Sequence, residues 1–170
     1  MKASEVYHLA ALPGVQQCID EPDSAFMKNV YGAFNTARLC AKHSKPMVFT
    51  SSFAVISGEG TLYGFTKGLA EMCVLRFGGT VCRLSNVYGG CGYVELKDSV
   101  VARLLKGTFV DRGHSGVVRD FIHVDDVCRG LVSSMGVGGV VDVCSGRLLS
   151  VGELVELSKC SGFPDNLRET

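Results

Sequence analysis

Tyr63 and Lys67 stand at i and i+4 in the segment YGFTK, and Ser52 closes the apolar run PMVFTSS upstream of them. A tyrosine and a lysine at that spacing share one face of a helix, about one turn apart. The pairing points to a phenol used as a proton acceptor. A free phenol titrates near ~10, so ionising it at neutral pH must overcome roughly 3 pKa units, about 4 kcal/mol. A neighbouring ammonium favours the phenolate and reduces that cost. A serine hydroxyl at the end of a strand would then hold the substrate oxygen from which the proton leaves. The plainer alternative is that Tyr63 and Lys67 simply cover an amphipathic helix face.

The elements that must position these groups alternate along the chain. Strand-like runs at Val6–Leu12, Val48–Ser52 and Thr80–Leu84 are separated by helical patterns at Ala25–Lys42 and Tyr63–Phe77. Such alternation predicts an α/β fold with parallel strands joined by right-handed crossovers. Gly78 and Gly79 stop the second helix in the manner of a C-cap. Further on come a helix at Ser99–Lys106, the strand VRDFIHV, a helix from Asp125 to about Met135, the strand VVDVC and a last helix. That last helix opens on Ser150 and Glu153, the capping-box spacing. Gly58, Gly60 and Gly64 read as a turn, and the tail from Ser161 to Thr170 as a frayed end.

Composition narrows the function. The chain has 170 residues, enough for one domain of ordinary size, and 17 Lys plus Arg balance 17 Asp plus Glu. No overall field draws it to nucleic acid or anionic lipid. No apolar run approaches the ~20 residues that cross a bilayer, and the opening residues lead into a strand pattern rather than a leader, so the expected location is the cytosol. The eight cysteines form no C-x-x-C pair and sit mostly among apolar residues, which predicts buried reduced thiols. His8, His43, His114 and His123 lack metal-ligand spacing, and no metal is expected.

Six segments in order resemble the extended short-chain dehydrogenase/reductase family, and within it the nucleotide-sugar epimerases and dehydratases typified by UDP-glucose 4-epimerase. YHLAALPGV looks like that family's HLAA strand end, NVYGAFN like its N-V-x-G-T-x-N helix, and TSSFAVIS like its S-S-x-x-V-Y-G. YGFTK matches Y-x-x-S-K with Thr66 for serine, Glu71 falls at the usual acidic position, RLSNVYG matches R-x-x-N-V-Y-G, and RDFIHVDD matches its signature almost letter for letter. The resemblance implies that Tyr63 is the catalytic acid/base, that Lys67 binds the nicotinamide ribose and lowers the tyrosine, and that Ser52 orients the sugar hydroxyl. It implies that Leu9, Ala10 and Ala11 lie against NAD, or NADP, at a strand end, with buried strand residues as the alternative. Asn86 matches a residue that contacts the sugar nucleotide, and Arg119 one that grips its diphosphate, a salt bridge to Asp120, Asp125 or Asp126 being the alternative. Asp125 and Asp126 are expected to cap a helix or brace a loop.

The resemblance also sets an expectation of incompleteness. The family opens with a βαβαβ unit carrying G-x-x-G-x-x-G on its first turn, and this sequence contains no such motif. The expected fold is therefore a partial Rossmann-like, doubly wound parallel sheet lacking its N-terminal βαβαβ unit. Residues 1–89 would form the C-terminal half of the cofactor domain and residues 90–170 a small substrate-binding portion. The Val6–Leu12 strand is expected to show an open edge, which a separate N-terminal half or a second copy of the chain would pair. Only a short SGEGTL segment separates the serine strand from the tyrosine helix, Ile56 and Ser57 replace the Y-G of V-Y-G, and GCGYVELKD is short. Phe53 and Ala54 follow Ser52 where dehydratases of the family carry an Asp-Glu pair, which favours epimerisation of a nucleotide sugar through a 4-keto intermediate. A catalytically silent nucleotide-sugar-binding or assembly module is the alternative.

Overall fold

The computed structural model describes residues 3–57, 60–89, 99–111, 113 and 115–168, the side chains of residues 165 and 166 apart. Gly58, Cys91 with the rest of the GCGYVELKD segment, and His114 lie outside the described residues. In chain order the elements are β1 (Val6–His8), α1 (Val15–Asp20), α2 (Pro22–Ala25), a π-helical stretch (Phe26–Tyr31), α3 (Gly32–Lys42), β2 (Met47–Ser52), α4 (Leu62–Arg76), β3 (Thr80–Leu84), β4 (Asn86–Tyr88), α5 (Val100–Leu105), β5 (Val118–His123), α6 (Val124–Ser133), β6 (Gly139–Val143), β7 (Leu148–Ser150) and α7 (Val151–Leu157). Short 3-10 turns lie at Phe53–Val55 and Asp165–Arg168. The chain divides into two compact units, Met1–Leu84 with Gly130–Val143, and Ser85–Arg129 with Cys144–Thr170.

The first unit holds a sheet in the order β1-β2-β3-β6 with every neighbouring pair parallel. It is the partial Rossmann-like sheet that the family resemblance implied, with the parallel strands that the alternation of elements predicts. β2 is buried along almost its whole length, as a central parallel strand covered on both faces must be. Met47, Phe49 and Val81 turn to one face and pack with Ala33, Ala37 and Cys40 of α3 and Ala70 and Val74 of α4. Each fully buried large side chain contributes roughly 1.5–3 kcal/mol, so this layer fixes how α4 lies on the sheet. α4 starts where Thr61 accepts from the Gly64 N–H at 3.1 Å. It ends in a Schellman turn, with Gly79 N donating to Val74 O at 3.0 Å and Gly78 N to Leu75 O at 3.1 Å. Gly78 has φ 76°, which explains glycine there.

Several boundaries differ from the sequence reading. β1 is three residues long and the chain leaves it at Leu9, and at Leu12 the backbone N–H donates to the Asn29 side chain instead of a strand. The helix expected from Ala25 begins at Pro22, whose fixed φ suits a first helical position, and it contains the π-helical stretch. α1, β4 and β7 are too short to leave a periodic signal. Among the described residues β1 pairs only with β2 and forms the edge of its sheet.

The second unit pairs β4 and β5 in parallel and β5 and β7 antiparallel. Tyr88, Val101, Phe121, Leu154 and Leu167 form its core. Asp120 ties the strands to the following turn: its carboxylate accepts from Ser85 Oγ at 2.5 Å, Ser145 Oγ at 2.8 Å, Ser145 N at 3.0 Å and Arg147 N at 3.1 Å. Ser150 and Glu153 form the expected capping box of α7. The tail is not frayed up to Arg168, because Leu167 is buried in the core and the Arg168 guanidinium pairs with Asp125 and Asp126. Those two carboxylates thus brace a chain segment, as expected. The thiols are not uniformly buried: Cys18, Cys40 and Cys82 are, whereas Cys128, Cys144 and Cys160 are exposed. The exposed three lie outside the strand and helix faces that the apolar pattern marks as core.

Candidate active site

Ser52 ends β2, and the chain turns at once into the Phe53–Val55 3-10 segment, where the Ser52 oxygen accepts from the Ala54 N–H at 3.2 Å. The first turn of α4 comes back against that segment. A Cβ on Gly64 would lie 2.4 Å from the Ala54 carbonyl oxygen, so only glycine allows the approach. This packing brings Tyr63 beside Ser52. The serine hydroxyl pulls the phenol pKa down without reaching full hydrogen-bond geometry, while burial, the larger effect, pushes it up, and the Cys18 sulfur adds to the rise.

Lys67 lies one turn further along α4 and is 2% exposed. Its ammonium donates to the Thr50 carbonyl at 2.5 Å and sits 4.3 Å from the centre of the Phe49 ring. Lysine and tyrosine therefore share a helix face and one end of β2. At Tyr63 desolvation of the phenolate dominates, and the Lys67 ammonium is aimed at the Thr50 carbonyl. Burial lowers Lys67 itself to about 8, with Glu71 and then Cys18 working against the fall.

That depressed value has a testable sign. The unfolded chain holds the lysine proton up to ~10.4 and the folded chain releases it near 8. Between those values the unfolded state binds more protons, so the Lys67 contribution to stability rises with pH and is least favourable below about pH 8. The stability of the wild type minus that of Lys67→Met, from urea unfolding, should increase across this window. A flat difference would mean the ammonium is better solvated than its burial implies.

The loop after β1 is held by a residue whose role the sequence reading did not assign. Asn29, on the π-helical stretch, is buried; its Oδ1 accepts from Leu12 N at 2.7 Å, and its Nδ2 donates to Leu12 O at 3.2 Å and Thr66 Oγ1 at 3.1 Å. The asparagine acts as a substitute strand for one residue of backbone. Thr66 in turn donates to Tyr63 O at 3.0 Å, so the threonine that replaces serine in YGFTK links this clamp to the tyrosine turn. The only signal in the sequence was the place of Asn29 in NVYGAFN. Leu9 is 57% exposed and Ala10 is exposed beside it, while Ala11 is half-buried, which removes the alternative that these are buried strand residues.

In the second unit Asn86 and Arg119 line one cavity of about 360 Å³ together with Arg103, Phe109, Val117 and Phe121. Asn86 Nδ2 donates to Asp120 O at 3.0 Å.

The model of the NAD dependent epimerase/dehydratase family matches residues 1–138. The chain belongs to that family. UDP-glucuronate 4-epimerase 2 of Arabidopsis thaliana is 26% identical over 159 residues, which cover 78% of this chain and 37% of that protein. UDP-glucuronate 4-epimerase of Thermodesulfobacterium geofontis is 24% identical over 182 residues, 91% of this chain and 55% of that one. Among solved structures, UDP-glucose 4-epimerase of Thermotoga maritima with UDP-glucose superimposes with a TM-score of 0.83 at 28% identity over 93% of this chain and 60% of that chain. MoeE5 in complex with UDP-glucose and NAD gives a TM-score of 0.79 at 28% identity, covering 91% and 61%. This epimerase/dehydratase chain thus spans between about a third and somewhat over half the length of the curated relatives it matches. Among the described residues no helix is long and apolar enough to cross a membrane.

Proposed function

We propose that the first unit carries the proton-transfer groups of an NAD-dependent nucleotide-sugar 4-epimerase and that the second unit binds the sugar nucleotide. The observation that carries this reading is the convergence of Ser52, Tyr63 and Lys67 on the carboxyl end of β2. The exposed Leu9 and small Ala10 at the carboxyl end of β1 suit a dinucleotide, since open α/β sheets take ligands there. Leu9, Ala10 and Ala11 would hold the cofactor with Lys67 at its ribose; NADP is the alternative. When bound, NAD accepts a hydride from the sugar carbon and returns it. Ser52 orients the sugar hydroxyl and Tyr63 takes its proton as the hydride leaves, then gives it back to the 4-keto intermediate. Hydride delivered to the opposite face of the keto carbon would invert it. Because burial keeps Tyr63 protonated, a cationic ring nearby is needed to favour the phenolate.

In the second unit Arg119 would grip the diphosphate and Asn86 the nucleotide sugar; a guanidinium presents donors in the planar fork that phosphate accepts. Arg103 Nε, buried in the same unit without a hydrogen-bond partner among the described residues, supports an anionic occupant of the cavity. Calorimetric titration of the chain with UDP-glucose should show binding, and Arg119→Ala should weaken it by about 1.5–3 kcal/mol, roughly 10- to 150-fold. An unchanged dissociation constant would remove Arg119 from the site.

A second reading is a sugar-nucleotide-binding or assembly module without catalysis. The sequence has no G-x-x-G-x-x-G, whereas Asn86 and Arg119 already share a cavity within one unit. Titration with NAD separates the two: binding of UDP-glucose without NAD favours the module, binding of both with turnover favours the epimerase, and binding of neither sinks both. The β1 edge is where a separate N-terminal half or a second copy would pair, and the cytosol is the location this reading implies.

A further inference from the structure

Lys67 and Glu71 sit one turn apart on α4, and both are almost fully buried. An ammonium and a carboxylate at that spacing ordinarily pair with each other. Here each goes elsewhere. Lys67 Nζ donates to Thr50 O at 2.5 Å, and the neighbouring residue of β2 takes Glu71: Ser51 Oγ donates to Glu71 Oε1 at 2.6 Å. Arg83, on β3, supplies the rest, with Nε donating to Oε1 at 3.0 Å and Nη2 to Oε2 at 2.7 Å. Both carboxylate oxygens are thereby occupied by a cation that is not Lys67.

We propose that Arg83, assisted by Ser51, is a positioning residue for Lys67: by holding Glu71 in a two-point grip it keeps the Lys67 ammonium off the carboxylate and on the carboxyl end of β2. The inference deepens the proposed function and rests on its reading of Lys67 as the residue that meets the cofactor. The physical argument is competition for a buried charge. A carboxylate this deep must have a partner, since leaving it unpaired costs several kcal/mol. With Arg83 in place a bidentate guanidinium outcompetes a single ammonium. Without it, the cation within reach on the same helix face is Lys67, and forming that pair would draw Nζ away from Thr50. The other groups that face Lys67 cannot substitute: the Cys18 thiol from α1 is pushed up by burial, the His8 imidazole from β1 is held down by burial, and Phe49 from β2 offers only its ring. Arg83 also feels Asp142 of β6 alongside it, which helps keep the guanidinium between the two acids.

Lysine labelled with 13C at Cε reports the titration of Lys67 directly by NMR, with Lys67→Met identifying its signal. In Arg83→Gln the freed Glu71 should raise the Lys67 pKa by at least about one unit from its starting value, a tenfold shift in the protonation equilibrium. In the double variant Arg83→Gln with Glu71→Gln the rise should vanish, leaving Lys67 at or below its wild-type value. A merely structural role for Arg83 would lower the melting temperature in both variants and leave Lys67 titrating as before. If Arg83→Gln fails to fold, Ser51→Ala removes one of the three donors and should produce a smaller rise of the same sign. A folded variant of either kind with an unshifted Lys67 overturns the proposal. All of this is measured without NAD or sugar nucleotide. A shifted Lys67 in a chain that binds no NAD would therefore leave the positioning network standing and remove only the cofactor reading.

Discussion

Tyr63→Phe should lower UDP-sugar epimerisation, measured with NAD supplied, by about 10²–10⁴-fold, the range a positioned acid/base contributes, while UDP-sugar affinity stays within about twofold. The substitution removes one oxygen and leaves the ring that packs on Leu12, Cys18 and Ala25. Stability should change little for the same reason, so the loss would be chemical. Ser52 would keep its bond from the Ala54 N–H and remain in place. Because the phenol in the folded chain is pushed up by burial, the wild-type rate should fall toward low pH, where the phenolate is scarcest. Turnover in Tyr63→Phe equal to that of the wild type would refute the acid/base assignment outright.

The second large effect is expected at Asn29. Asn29→Ala orphans the Leu12 N–H in a buried setting and takes one of two partners from the Leu12 carbonyl, which keeps Cys18 Sγ at 3.6 Å, and from Thr66 Oγ1, which still donates to Tyr63 O. At about 1–3 kcal/mol for the orphaned N–H and about 0.5 kcal/mol or more for each weakened group, the chain should lose roughly 2–4 kcal/mol, a large part of the ~5–15 kcal/mol that stabilises an ordinary domain. Asn29→Asp keeps an acceptor for Leu12 N but loses both donors, so it should retain part of the stability. The denaturation midpoint checks the total, and hydrogen exchange at the Leu12 amide checks its location. A loss below about 1 kcal/mol in Asn29→Ala would mean that the loop after β1 is held by other contacts.

The two substitutions act on different links of one chain of cause. In the proposed function Tyr63 bears the chemistry, whereas Asn29 fixes the loop that follows β1 at Leu12. Gly64 belongs to the second kind as well. Its missing Cβ lets α4 close against the Ala54 carbonyl in the 3-10 segment that follows Ser52.

The long, strongly patterned elements were legible from composition and period: β2 and β3 from β-rich runs, α4 from its helical pattern and terminal glycines, α7 from its capping box. The i, i+4 spacing put Tyr63 and Lys67 on one helix face, and motif order alone carried the family. The sequence by itself therefore determined that Tyr63 and Lys67 lie on one face of α4, because local periodicity and capping are properties of neighbours along the chain. Only the tertiary structure decided in what state they meet. Whether Lys67 faces Glu71 or Thr50, whether burial or a cation governs the phenol, and that Asn29 clamps Leu12 all depend on residues distant in sequence competing for the same buried charges and backbone groups, a competition settled by three-dimensional packing.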